Sequence, residues 1–152
     1  MTGSIQNSIG KLPKGIKGQQ ADSNPIKTTN EVAGADCNVG TFARYDTNGN
    51  MIPFSSTGQN VAGLVLKSDM HNVDVIAKNK NITLGKDGNF YVYCETPITK
   101  GSKLFIRHTT TTTETVGDVR ADADTDKADQ FTGVEAMETL TEAGILKVSI
   151  NL

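Results

Sequence analysis

From Val32 onward, almost nowhere do ten residues of helical periodicity run without a glycine or proline, whereas short apolar runs of period two recur between Asn, Asp and Gly pairs. That texture restricts the chain to an all-β fold. VGTFARYD (39–46) leads into NGN (48–50), where Asn48-Gly49 suits a tight primed turn because both residues tolerate positive φ. VAGLVL (61–66), VDVIA (73–77) and NITLG (81–85) follow, and Asp87-Gly88 within KDGN (86–89) offers a second hairpin turn into FYVYCE (90–95). ITKGSKLFIRH (98–108) and FTGVEAME (131–138) supply two more runs. The closing ILKVSINL (145–152) sets Leu146, Val148, Ile150 and Leu152 against Ile145, Lys147, Ser149 and Asn151, as a strand with one face on a core requires. TLTEAG (139–144) suits a single helical turn. About eight short strands at roughly ten-residue spacing predict a small β-sandwich, with a jelly roll or a partly closed barrel as near relatives.

Two segments depart from this pattern. Residues 1–29 are broken by Pro13, Pro25 and several glycines, and their apolar residues are too scattered for a private core, so they read as an extended N-terminal arm preceding a β domain at 30–152. Residues 109–130 are mostly Thr, Asp and Ala and read as an exposed acidic loop of about 20 residues. The net charge of −2 averages over both: residues 1–30 carry four Lys against one Asp, while 109–142 carry nine Asp or Glu against Arg120 and Lys127. Such opposite charges can steer assembly, more weakly as salt rises. The near-neutral total argues against a nucleic-acid partner. The first thirty residues hold no apolar run of roughly 7–15 residues, so no secretory signal is expected. No stretch of about 18 apolar residues exists either, so no membrane partner is expected.

Catalytic and metal chemistry find little to work with. His71 and His108 are the only histidines and read as surface residues; Ser68, Asp69 and His71 are too close in sequence to converge on a substrate. Cys37 and Cys94 read as free thiols, Cys94 as buried filler, and with the two histidines they exhaust the soft metal ligands without a CxxC or HExxH spacing. Asp46, Asn48 and Asn50 begin like a calcium loop, but Met51 stands where the loop needs Gly and Thr57 where it needs Glu. Asp122, Asp124 and Asp126 have the same defect and leave at most a weak divalent site. The glycines at 34 and 40 form no phosphate loop. A small carboxylate-based hydrolase is therefore disfavoured, no cofactor is expected, and the chain does not read as an enzyme.

KGIKGQQADSNPI (14–26), VAGADCNVGTFARYD (32–46), TGQNVAGLVLKS (57–68), GNFYVYCETPITKGSKLF (88–105) and AGILKVSINL (143–152) together resemble the structural cement proteins that decorate the heads of tailed bacteriophages. The resemblance covers most of the chain outside 109–130. It implies a virion protein on the outer capsid surface that stabilises contacts between major capsid protein subunits and associates with itself as a homodimer or homotrimer. It also implies capsid contacts along the arm, at Ile5, Ile9, Leu12, Lys14, Ile16, Lys17, Asn24, Pro25 and Ile26. Fully extended, 29 residues reach about 95 Å. A tail or head-fibre component is the alternative that threonine-rich β segments equally suit.

Overall fold

The computed structural model describes residues 15–55, 60–67, 73–110 and 112–152. The alternation of the C-terminal run does what its pattern demands: in β11 (Gly144–Asn151) Leu146, Val148 and Ile150 are buried, while Lys147 and Ser149 face outward. β11 pairs antiparallel with β7 (Asn81–Cys94), Gly144 opposite Cys94 and Asn151 opposite Asp87. Its other edge takes β10 (Ala128–Ala136), which pairs with β8 (Lys103–Arg107), which pairs with β9 (Val119–Arg120). β9 then meets β7 in parallel at Cys94 and Val119. Five strands thus close on themselves, the β7–β9 junction being a single residue pair. Phe90, Val92, Cys94, Leu104, Ile106, Val119, Val134, Leu146, Val148 and Ile150 fill its interior.

The N-terminal half of β7 runs on past the barrel. It pairs with β1 (Lys27–Val32) and with β5 (Gly63–Val65), from which β3 (Phe42–Tyr45) and β4 (Met51–Pro53) continue the sheet. β2 (Cys37–Asn38) and β6 (Val75–Ile76) form a separate ribbon. Cys37, Val39, Ala43, Met51, Ala62, Val65, Ile82 and Leu84 make a second, smaller core here. Phe42, Phe54 and Leu64 join the barrel core, and Phe54 meets Phe131 edge to face with ring centroids 5.4 Å apart.

Four local expectations change. Asp87-Gly88 is no hairpin turn: β7 passes straight through it, because β1 and β11 pair with the strand on either side of the glycine. Gly88 instead takes φ +127°, and a Cβ there would sit 2.6 Å from Ile26 Cγ2. The chain does reverse between β3 and β4, but through residues 46–50, where Asp46 Oδ1 accepts from the Asn48 and Asn50 amides at 2.8 and 2.9 Å. Only Gly49 takes positive φ. The 109–130 stretch carries β9 and so closes the barrel, instead of lying wholly exposed. Residues 139–144 form no helical turn; Leu140 bridges to Ile98. Among the described residues no helix is long and apolar enough to cross a membrane.

Candidate functional site

Between the residues of β7 that pair with β5 and the one that pairs with β9, its edge is completed by the N-terminal segment. Gly18 N–H donates to the Tyr91 carbonyl at 2.8 Å, Tyr91 N–H to Gln19 at 3.0 Å, and Ala21 N–H to Asn89 at 2.8 Å, with Gln20 bridged to Phe90. Lys67 N–H donates to Gly18, tying the segment to the end of the β5 run. Asp22 fastens its far end: its carboxylate accepts from Asn89 Nδ2 at 2.7 Å and lies 3.0 Å from Lys147 Nζ. The Asn89 amide, and then Lys147, hold that carboxyl below the usual carboxylate range.

The contact residues expected from the sequence fall into three groups. Ile5, Ile9, Leu12 and Lys14 lie outside the described residues. Ile16 is 46% exposed, and Asn24 and Pro25 are exposed. Lys17 lies along Gly40, and Ile26 turns inward against Gly88 and the barrel core. Their shared strip is thus a ladder with some side chains outward and one serving as an anchor.

A cluster of charges at the seam of β7, β8 and β9 went unseen in the sequence. Arg107 is fully buried and grips Glu95 through two bonds, Nε to Oε1 at 2.7 Å and Nη2 to Oε2 at 2.8 Å. Its Nη2 also reaches Asp124 Oδ2 at 2.7 Å, and its Nη1 donates to the Thr109 carbonyl at 2.8 Å. Arg120 adds bonds to Glu95 at 3.0 Å and to Asp122 at 2.9 Å. The Glu95 bonds raise the Arg107 pKa further, and Arg107 lowers that of Asp124. Two of the three aspartates weighed as a weak divalent site are therefore committed to arginines. Asp124, Thr125 and Asp126 all take left-handed backbone, with φ of 45°, 54° and 63°; amides of Lys127 and Ala128 donating to the Ala123 carbonyl close this turn. An arginine ending the apolar run LFIR, ahead of an acidic stretch, was the available signal.

His108 is buried, contrary to the surface position expected, because the 109–130 stretch folds back over it. Its Nδ1 lies 2.8 Å from Thr109 Oγ1, and its Nε2 is 3.8 Å from Asp129. His71 lies outside the described residues. Cys37 and Cys94 are buried free thiols; burial pushes Cys37 up to about 11 and raises Cys94, so neither is poised as a nucleophile. Among the described residues no group of three or more His, Cys, Asp or Glu is arranged to hold a metal ion.

One open groove, about 690 Å³, lies between the N-terminal segment and the barrel. Ile16, Tyr93 and Ile145 contribute its apolar lining, while Glu95, Asp118 and Arg120 bring charge. Asp118 is only 4% exposed and its Oδ1 has no hydrogen-bond partner among the described residues. Burial, only partly offset by Lys17, pushes its carboxyl up to about 7.

A family model described as "Structural cement protein (E217 gp24/Pam3 gp6)" matches residues 5–151. Among solved structures, a chain of the capsid of Myoviridae phage XM1 is similar at a TM-score of 0.74 and 15% identity, covering 93% of each chain. The N base of the head fibre gp8.5 of bacteriophage phi29 is similar at a TM-score of 0.46 and 12% identity, over 84% of this chain and 95% of that one. No curated protein matches the sequence.

Proposed function

The chain belongs to the structural cement protein family, and from that premise we propose that its work is mechanical: it sits on the outer surface of a phage head and stabilises contacts between capsid subunits. The observation that carries this reading is the family match, which spans residues 5–151. The fold it shares with a chain of the phage XM1 capsid agrees with that role. So does the chemistry. The thiols are buried and the seam carboxylates are tied to arginines, which suits a part that must hold its shape under load.

Within this reading the immediate partner is the major capsid protein, met by the N-terminal region from residue 1 to 29, with the β unit at 30–152 as its base. Ile5, Ile9, Leu12 and Lys14, followed by Ile16, Lys17, Asn24 and Pro25, would supply the contacts, and Ile26 the anchor. Copies would associate as dimers or trimers, so that each arm spans to a neighbour. We take the finer architecture as a sandwich derived from the barrel, a jelly-roll strand order being the alternative.

The test uses capsid shells assembled without this protein. Sedimentation with the full chain should carry it into the shell fraction, and a chain starting at Gly15 should bind at least tenfold more weakly while remaining folded. Truncation at residue 29 is the wrong cut, because it strips the β7 ladder and part of β1. Absence of the full chain from the shell fraction overturns the function, and equal binding by the truncated chain overturns the arm's part in it.

A further inference from the structure

The groove between the N-terminal segment and the barrel presents an unusual combination. One wall is apolar and open: Ile16 is 46% exposed and Tyr93 36%. Its base holds Asp118, almost wholly buried, with one carboxylate oxygen unpartnered among the described residues. A buried carboxylate without a partner is costly when ionised, and the cost is relieved by a cation brought to it. The charged groups around Asp118 do not supply one by hydrogen bond. Lys17 on the N-terminal segment acts on it only at a distance, Arg107 on β8 is spent on Glu95 and Asp124, and Arg120 on β9 is spent on Glu95 and Asp122. Glu95 and Glu114 line the same groove, so its carboxylates outnumber its cations.

From this geometry we propose that the groove receives a basic side chain, lysine or arginine, of the capsid subunit beneath. The methylene stem lies on Ile16 and Tyr93, and the cationic head meets Asp118. Long basic side chains bury their stems on apolar surface in this manner, and Tyr faces favour a nearby cation. The proposal rests on the cement reading above and names the place where the barrel itself, as distinct from the arm, touches the shell. Above about pH 7, where Asp118 gives up its proton, the free protein carries an uncompensated charge that the assembled particle neutralises.

The experiment measures binding of the full chain and of Asp118→Asn to shells assembled without the protein, at pH 8 and pH 6, with Asp74→Asn as an exposed-carboxylate control. Thermal unfolding of each free variant is followed in parallel. A hydrogen bond between charged groups corresponds to roughly 10- to 100-fold in affinity. Asp118→Asn should therefore bind at least tenfold more weakly at pH 8, although the free variant melts no lower than the parent. The parent should lose affinity between pH 8 and pH 6 as Asp118 takes up a proton, and the variant should lose less. If the parent does not bind shells, the cement reading fails. If the parent binds and Asp118→Asn matches it at both pH values, this inference alone fails. If the substitution leaves shell binding intact but changes self-association, measured by light scattering, the occupant is a second copy and the inference is likewise overturned.

Discussion

The barrel and the sheet that extends from it are built on the same strand, yet they enclose cores of different size and edge. Around the C-terminal half of β7, five strands close into a ring, and the N-terminal segment covers the remaining length of strand. Around the N-terminal half, β1 and the β5-β3-β4 run are joined just past β1, where Ala33 bridges Met51 of β4 and Gly34 N–H donates to the Met51 carbonyl at 2.7 Å. Open edges invite pairing with other chains, and polar side chains blunt them. β1 carries Lys27, Thr28, Thr29, Asn30 and Glu31, and β4 ends on Pro53. The lesson is a division of labour. The barrel half buries the larger core and a charged seam, while the other half encloses a smaller core behind a polar edge strand.

That division can be broken most severely at the seam. Arg107→Ala leaves Asp124 and part of the Glu95 carboxylate without their buried partner, and should cost about 3–5 kcal/mol in denaturant unfolding. If the cost were below about 1 kcal/mol, the seam would not be a main support of the barrel. A pH series probes the same end of the barrel. Asp118 holds its proton up to about 7 in the folded chain and gives it up near 3.8 when unfolded. The folded state thus binds the extra proton between those values, and this group's contribution to stability falls as pH rises from about 4 to about 7, by roughly 1.4 kcal/mol per unit. Asp118→Asn should remove that fall, seen as a flatter melting temperature against pH. Asp22 and Asp124 act in the opposite direction: their carboxyls are held low, so their contribution is lost as pH drops below the usual carboxylate range.

Two smaller tests address the junction and the extension. Gly88→Ala puts a side chain where φ is +127° and where Ile26 already stands, and should cost about 1–3 kcal/mol by denaturant unfolding. Hydrogen exchange should then quicken at Gly18 and Ala21, whose amides bond to β7 beside it. Ile82→Val, in the smaller core, should cost about 0.5–1.5 kcal/mol. Its effect on exchange should stay within β1, β3 and β5; spreading into β10 would show that the two halves unfold as one.

What the sequence displays and what it conceals follow the same line. The all-β class and the inward face of β11 are legible because period-two alternation is a local signal, as Leu146, Val148 and Ile150 illustrate. The hairpin after Tyr45 is legible for the same reason, although Asp46 shapes it more than Asn48-Gly49 does. β7 is concealed because Lys86-Asp87-Gly88-Asn89 has turn composition, and only pairing with β1 and β11, distant in sequence, keeps it extended. β9 is concealed because two residues carry no period. Arg107, Glu95 and Asp118 carry no local signal of a shared site, and Asp124 reads as part of an acidic loop, until strand closure brings these elements together. The described part of the N-terminal segment offers few apolar residues, and its order comes from backbone bonds to Tyr91 and Asn89 that composition does not reveal.

If this chain holds capsid subunits together, heating shells to the point of opening will reveal it. Shells with and without the protein are heated while genome or dye release is followed, and occupancy of the outer surface is checked by imaging. Shells carrying the chain should open at a clearly higher temperature, and adding purified chain to bare shells should restore the difference. Opening at the same temperature with the surface fully occupied would show that the chain does not hold the subunits together.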